Sequence, residues 1–287
     1  MKYVDLHVHS TASDGTLTPA EVVERAASLS LAAIALTDHD TTNGVAKAKQ
    51  KAEELRKQGT HIEVYSGVEI SAAYKKRDIH IVGLFVDENN ELLNRTLENA
   101  RTNRESRNLR ILERFEALGI HLTMEDLLEG ATDTVVTRAH FGRALVNKGI
   151  TASIQEGFEK YLNEDGPCYV AREYLEPEQA IGLILKAGGV PILAHPLLYQ
   201  LPHEELVVLL ERLKKAGLKG IEVYYSANRG SDEMNVKALA SYFSLLPSGG
   251  SDFHGSIKPA IELGKGKGNL KVPYSVLQNL INEKPRN

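Results

Sequence analysis

The chain contains one cysteine, Cys168, in 287 residues. This excludes an internal disulfide and a thiolate metal cluster, and it fits a reducing compartment. An excess of positive charge is also missing: 34 Lys and Arg stand against 38 Asp and Glu, a formal net charge of −4. A protein held to nucleic acid by bulk positive charge is thereby excluded, whereas a local basic pocket is not. No apolar run approaches the ~18 residues that a membrane span needs, and charge appears at Lys2 and Asp5 before any leader-like stretch could begin. The expectation is a cytoplasmic protein with no membrane association and no obligate protein partner. Internal repeats, low-complexity tracts and a recognisable nucleophile elbow are absent as well, so Ser10, Thr37 and Cys168 read as structural.

Hydrophobic residues make up 42% and charged residues 25% of the chain, which is globular composition and enough for a substantial core. The length suits one α/β barrel of roughly 250 residues carrying an insertion. Apolar, β-branched runs at 3–8, 31–36, 61–70 and 80–86 alternate with helical periodicity at 19–29 and 45–58, a βαβα pattern that predicts a mainly parallel sheet. Thr18, Pro19 and Glu21 mark a helix start with a capping box. From about Glu88 to Tyr161 the chain is amphipathic and helical with no strand, and alternation then resumes to about Gly249. The division expected is a barrel from 1–90 and 166–287, interrupted by a helical subdomain at 91–165. The last residues, 283–287, read as a frayed tail.

Six of the ten histidines, His7, His9, His39, His80, His195 and His254, fall in or just beyond predicted strands, mostly at the carboxyl ends where barrel enzymes place their sites. His7 and His9 stand at alternate positions of one strand, which turns both imidazoles to one side. A lone strand histidine is usually a satisfied polar residue. Here Asp14, Glu69 and Asp252 fall near the same predicted strand ends, and burying so many ionisable groups without metal would carry heavy desolvation and like-charge costs. Binding of several divalent cations resolves that conflict. The donors are imidazole nitrogen and carboxylate oxygen, which suit manganese, iron or zinc. Asp38 and Asp40, on either side of His39, read equally as supports for an imidazole or as turn and helix-cap acids.

The segments Asp5-Leu6-His7-Val8-His9-Ser10 with Ser13-Asp14-Gly15, Thr37-Asp38-His39, Gly67-Val68-Glu69-Ile70-Ser71, Ala194-His195-Pro196 and Gly250-Ser251-Asp252-Phe253-His254 resemble, in order, the motifs of the PHP family of metal-dependent phosphoesterases. The resemblance implies a distorted (β/α)7 barrel and a site of two to three divalent metals. Carried over by position, His7, His9, Glu69 and Asp252 would hold one metal, Glu69 would bridge to a second held by His80 and His195, and Asp14, His39 and His254 would hold a third. It also implies hydrolysis through a hydroxide bridging the metals, with manganese the first choice and iron or zinc as alternatives.

Arg138, His140 and Arg143, in Thr137-Arg138-Ala139-His140-Phe141-Gly142-Arg143, resemble a substrate motif of one PHP subgroup with such an insertion, which acts on nucleoside 3′,5′-bisphosphates and the ends of short RNA. On charge alone the three residues read equally as a phosphate clamp or a solvated helix face. Ala139 departs from the usual proline, and Asn228 stands where many relatives carry histidine; both lie outside the metal motifs. The implied substrate is a small phosphorylated molecule, a nucleotide or short oligonucleotide. The alternatives are a small-molecule phosphatase of the histidinol-phosphatase type and a non-catalytic module serving a polymerase. Arg101, Arg104, Arg107 and Arg110 recur every third residue and fan around half a helix turn, which favours a solvated face over a phosphate-binding edge.

Overall fold

The computed structural model describes residues 2–75, 77–129, 135–171 and 175–284. Of the tail expected to fray, residues 285–287 lie outside the described residues. Strands β1 (Tyr3–Val8), β2 (Ala33–Leu36) and β3 (Glu63–Tyr74) alternate with helices α1 (Pro19–Ser28) and α2 (Val45–Lys57). Thr18 caps α1, Glu21 returns a bond to the Thr18 backbone, and Pro19 opens the first turn. The three strands pair in parallel. β2 is buried throughout, as a parallel strand with both faces covered must be.

The next strand breaks the parallel pattern. Only Lys75 and Lys76 separate β3 from β4 (Arg77–Leu84), too few for a crossover, so β4 returns antiparallel. β5 (Val190–Leu193) also pairs antiparallel with β4, and β6 (Gly220–Tyr225) and β7 (Leu246–Gly250) then continue in parallel with β5. A short β8 (Val272–Pro273) runs antiparallel beside β1, giving the order β7-β6-β5-β4-β3-β2-β1-β8.

The sheet curls until β7 meets β1. Asp252 N donates to His7 O at 2.9 Å and His9 N to Phe253 O at 3.0 Å. A Cβ on Gly250 would lie 2.4 Å from His7 N, so only glycine permits this approach. The result is a nearly closed, distorted α/β barrel.

Helices α7 (Pro177–Lys186), α8 (His203–Ala216), α9 (Asp232–Tyr242) and α10 (Tyr274–Asn282) complete the cover. Alternate residues of β5 enter different cores: Leu193 packs in a cluster with Ile184 and Leu210, whereas Val190 and Ile192 join Val4, Ala33 and Leu277. Between β4 and β5 lie α3 (Glu91–Ala117), α4 (Met124–Leu128), α5 (Arg138–Asn147) and α6 (Ile154–Gly157), followed by one π turn at Phe158–Leu162. They share a core of their own, built on Ile111, Phe115, Leu127, Phe141 and Cys168. Among the described residues no helix is long and apolar enough to cross a membrane.

Candidate metal centre

The strand ends bring all nine predicted donors into one buried cluster. His7 and His9 project to the same side of β1, with ring centroids 5.2 Å apart. Glu69 stands at the centre. Its Oε1 lies 3.3 Å from His7 Nε2, 2.8 Å from His80 Nδ1 and 3.1 Å from His195 Nε2, and its Oε2 lies 3.2 Å from His9 Nε2 and 3.1 Å from His39 Nδ1. On the other side Asp14 Oδ1 is 3.2 Å from His254 Nε2 and Asp14 Oδ2 is 3.7 Å from His39 Nε2. Asp252 Oδ1 closes the ring, 3.4 Å from His9 Nε2 and 3.3 Å from His254 Nδ1.

Two placements differ from the sequence reading. Glu69 was expected to end its strand, yet β3 runs on to Tyr74. The extension forms the hairpin with β4, in which His80 sits opposite Ser71. Because β4 runs backwards, its amino-terminal half faces the site end of the barrel, and His80 enters from there.

The electrostatics are those of ionised carboxylates among imidazoles. Burial opposes the Glu69 charge, but His80, His7 and His39 outweigh it and hold the carboxyl well below the usual carboxylate range. Asp14 and Asp252 are lowered in the same way against their burial, by His254 and His39 and by Lys258 and His254 respectively. Burial pushes His39 down to about 3. His7 shows the opposite balance: burial works against its charge, and Glu69 and Glu222 raise it well above the ordinary histidine value.

These residues fit divalent cations. The buried nitrogens His7 Nε2, His9 Nε2 and His39 Nδ1 have no hydrogen-bond partner, although each lies within 3.3 Å of a Glu69 oxygen. Atoms that close but outside hydrogen-bond geometry are aimed at a common point and not at one another. Among the described residues three groups meet the spacing of a metal site: His9, Asp14, His39 and His254; His7, His9 and Glu69; and His39, Glu69 and His80. Three residues in or beside the cluster, Asp40, His195 and Asp252, hold positive φ.

Several site residues escaped the sequence reading. Glu222, buried on β6, accepts from His195 N at 2.7 Å and lies 3.1 Å from His7 Nδ1, which leaves His7 Nε2 facing the cluster. Its one signal was an acid inside an otherwise apolar strand. Lys258 Nζ and Tyr225 Oη both donate to Asp252 Oδ2, at 2.7 and 2.8 Å. The arginine fan is corrected: Arg104 and Arg107 are only 5% and 2% exposed. Helix α3 lies across the barrel mouth, where Arg104 pairs with Asp40 and donates to Ser71 Oγ at 3.1 Å. Asp40 therefore ties loop to insertion, while Asp38 accepts from Ser10 N and from the Ser10 and Ser13 hydroxyls; neither acid caps α2, whose N-cap is Gly44 with no side-chain hydrogen bond.

A cavity of about 260 Å³ opens on the cluster, and its lining includes Asp14, His39, His80 and His254 together with Arg104, Arg107, Arg138 and Lys258. Arg138 also bonds Asp78 Oδ2 at 2.6 Å. The other two residues of its motif point elsewhere. His140 is buried, accepts from Thr137 N at 3.1 Å, and is pushed by burial down to about 4, so it is neutral at neutral pH. Arg143 turns to Glu129 at 3.1 Å. Asn228 bonds back to Val223 O within its own turn.

A barrel with imidazoles and carboxylates converging at one end belongs to the class of metal-dependent hydrolases. The PHP domain family matches residues 5–176. The chain is 38% identical to the 5′-3′ exoribonuclease Rnm of Escherichia coli, over 91% of this chain and 88% of that one. It is 37% identical to the 3′,5′-nucleoside bisphosphate phosphatase of Chromobacterium violaceum, over 88% of each. Two solved structures superpose almost throughout. One, described as an amidohydrolase from C. violaceum with bound sulfate, gives a TM-score of 0.88 at 33% identity, covering 99% of this chain and 98% of that one. The other, assigned as a metal-dependent phosphoesterase of Bifidobacterium adolescentis, gives 0.87 at 28% identity, covering 99% and 97%. The chain belongs to the PHP family.

Proposed function

We propose that this protein hydrolyses phosphate esters of nucleotides, acting on nucleoside 3′,5′-bisphosphates and the 5′ ends of short oligonucleotides. Hydrolysis of phosphoester bonds follows from the family and from relatives named as phosphatase and exoribonuclease. The observation that carries the nucleotide reading is the lining of the cavity, where the candidate metal donors Asp14, His39, His80 and His254 share one space of about 260 Å³ with Arg104, Arg107, Arg138 and Lys258, room for a phosphate and part of the molecule that carries it. A phosphorylated compound with a second phosphate suits a lining that offers both metal donors and cations. Beyond the Asp78–Arg138 pair a second cavity of about 560 Å³ is lined by Tyr169, Asn163 and Gln200 together with the charged Arg77, Glu164 and Asp165, a polar space into which the nucleoside half can extend.

On this reading His7, His9, Asp14, His39, Glu69, His80, His195, Asp252 and His254 hold two to three divalent ions, manganese first and iron or zinc as alternatives. When bound, such ions supply an activated water and neutralise phosphoryl charge. The protein's own groups do the rest. Arg104 and Arg107 fix the non-reacting phosphate, and Lys258, bonded to Asp252, faces the same space. Cys168 takes no part: it lies in the insertion core, where burial pushes its thiol up to about 11. The barrel, expected at 1–90 and 166–287, carries the chemistry, and the insertion, expected at 91–165, carries recognition, its core reaching on to Cys168 and Val170.

The test is a phosphate-release screen of the manganese-loaded protein across nucleoside bisphosphates, 5′-phosphorylated short RNAs, sugar phosphates and histidinol phosphate. A nucleoside bisphosphate or short RNA is expected to give the highest kcat/KM; preference for histidinol phosphate or a sugar phosphate would overturn the reading. Arg138→Ala is expected to lower kcat/KM on the best nucleotide by about 10-fold, the loss of one charge-assisted contact, with metal content unchanged. Kinetics equal to wild type would remove Arg138 from recognition.

A further inference from the structure

The inserted helices roof the cavity, and they also reach into the candidate ligand set through one buried side chain. Thr137 precedes α5 and caps it: its Oγ1 accepts from Ala139 N at 3.2 Å. The same oxygen lies 3.0 Å from Asp14 Oδ2. A hydroxyl has one proton and two lone pairs, so it can accept from the helix and donate to the carboxylate at once. The competing acceptor, His140 Nδ1, is farther away at 3.3 Å and already takes the Thr137 N–H at 3.1 Å. A carboxylate oxygen offers no proton of its own to a hydroxyl and is the nearer acceptor, so the Thr137 proton goes to Asp14.

Asp14 has less support from its own backbone than the members that stand on strands. His7 and Glu69 stand on strands that fix their backbone, whereas Asp14 lies in the turn between β1 and α1. Its nearest local donor, Ser13 Oγ, is 3.4 Å from Asp14 Oδ1 and only 2.6 Å from Asp38 Oδ1. Two residues before Thr137, Val135 N donates to Ala12 O at 3.2 Å. The insertion thus grips the Asp14 turn twice, once by backbone and once by side chain.

We propose that Thr137 is a positioning residue for Asp14. Holding Oδ2, it leaves Oδ1 directed at His254 and His9, and the metal pocket of Asp14, His39 and His254 is complete only when the insertion is docked. This rests on the reading of Asp14 as a ligand. Removing a group that orients a metal ligand typically weakens affinity by about 10- to 100-fold.

The experiment measures manganese bound per chain, by elemental analysis, after equilibration of the full-length protein with graded manganese, together with thermal stability. Thr137→Val removes the proton and keeps the shape. Thr137→Gly is the partner variant, because glycine is tolerated at helix N-caps and loss of the cap is then not the cause. Thr123→Val is the control, since Thr123 caps α4 with the same reciprocal bonding to Asp126. Both Thr137 variants are expected to need about 10-fold more manganese to fill one site, with Thr137→Ser and Thr123→Val matching wild type. Wild-type occupancy in Thr137→Gly, or an equal loss in Thr123→Val, would overturn the proposal. Asp14→Asn run in parallel separates the two readings: unchanged manganese binding there overturns both, whereas loss there with wild-type binding in Thr137→Gly overturns only the role of Thr137.

Discussion

Glu69→Gln is expected to lose metal and turnover together. Its two oxygens lie within 3.3 Å of nitrogens on five histidines, and no other carboxylate among the described residues holds that position. Glutamine keeps the volume and hydrogen-bonding reach but removes the charge that offsets the imidazoles and any cations among them. Breaking one side of a buried ionic arrangement costs about 3–5 kcal/mol, so activity is expected to fall by about 100- to 1,000-fold or more. His61→Gln is the matched control, because His61 is exposed just before β3 begins, at the end of the strand away from the cluster. Elemental analysis beside phosphate release decides the matter: full occupancy and turnover in Glu69→Gln would show that the cluster is not the metal centre.

Glu222→Gln is expected to give the second largest effect, with a different signature. Glu222 does not line the cavity that opens on the cluster. One oxygen lies 3.1 Å from His7 Nδ1 and the other accepts from His195 N, so it orients two candidate ligands from behind. The amide can serve only one of these roles as an acceptor, and it lacks the charge that raises the His7 affinity for protons. Manganese affinity is expected to drop by about 10- to 100-fold, and excess manganese should restore most of the turnover. A manganese titration of activity checks this; failure of high manganese to rescue turnover would make Glu222 a ligand or a reacting group.

The parts of this architecture that could be read in advance are those where one residue type answers one local need. Thr18, Pro19 and Glu21 start α1 because a cap, a fixed φ and a returning carboxylate are local requirements. His7 and His9 share a side because strand geometry alternates. What escaped depends on contacts between distant segments. The Arg104 and Arg107 spacing is that of a solvated fan, and it became a buried wall because α3 crosses the barrel mouth, a placement that no periodicity encodes. Glu222 looked like a lone acid until β6 was set beside β5 and closure of the barrel brought His7 of β1 within reach. The reversal of β4 was implicit in the two-residue gap after Tyr74, but recognising it required the strand to extend well past Glu69. His140 and Arg143 share a motif with Arg138, and helix rotation sends them to a cap and to Glu129.

The seam between β1 and β7 has a consequence for assembly. It joins His7 to Asp252, and the Asp5 carboxylate to Ser251 N at 2.8 Å, across a sequence separation of 246 residues in the latter case. Contacts so far apart in the chain form late, because the loop they close must be ordered first. A polypeptide that has folded only as far as β6 carries His7, His9, Asp14, His39, Glu69, His80 and His195 but neither Asp252 nor His254. The cluster comes into being only when the cylinder shuts. Ligands that recognise the completed cluster and not the open sheet draw the folding equilibrium toward closure, so occupancy of the site doubles as a clasp on the barrel.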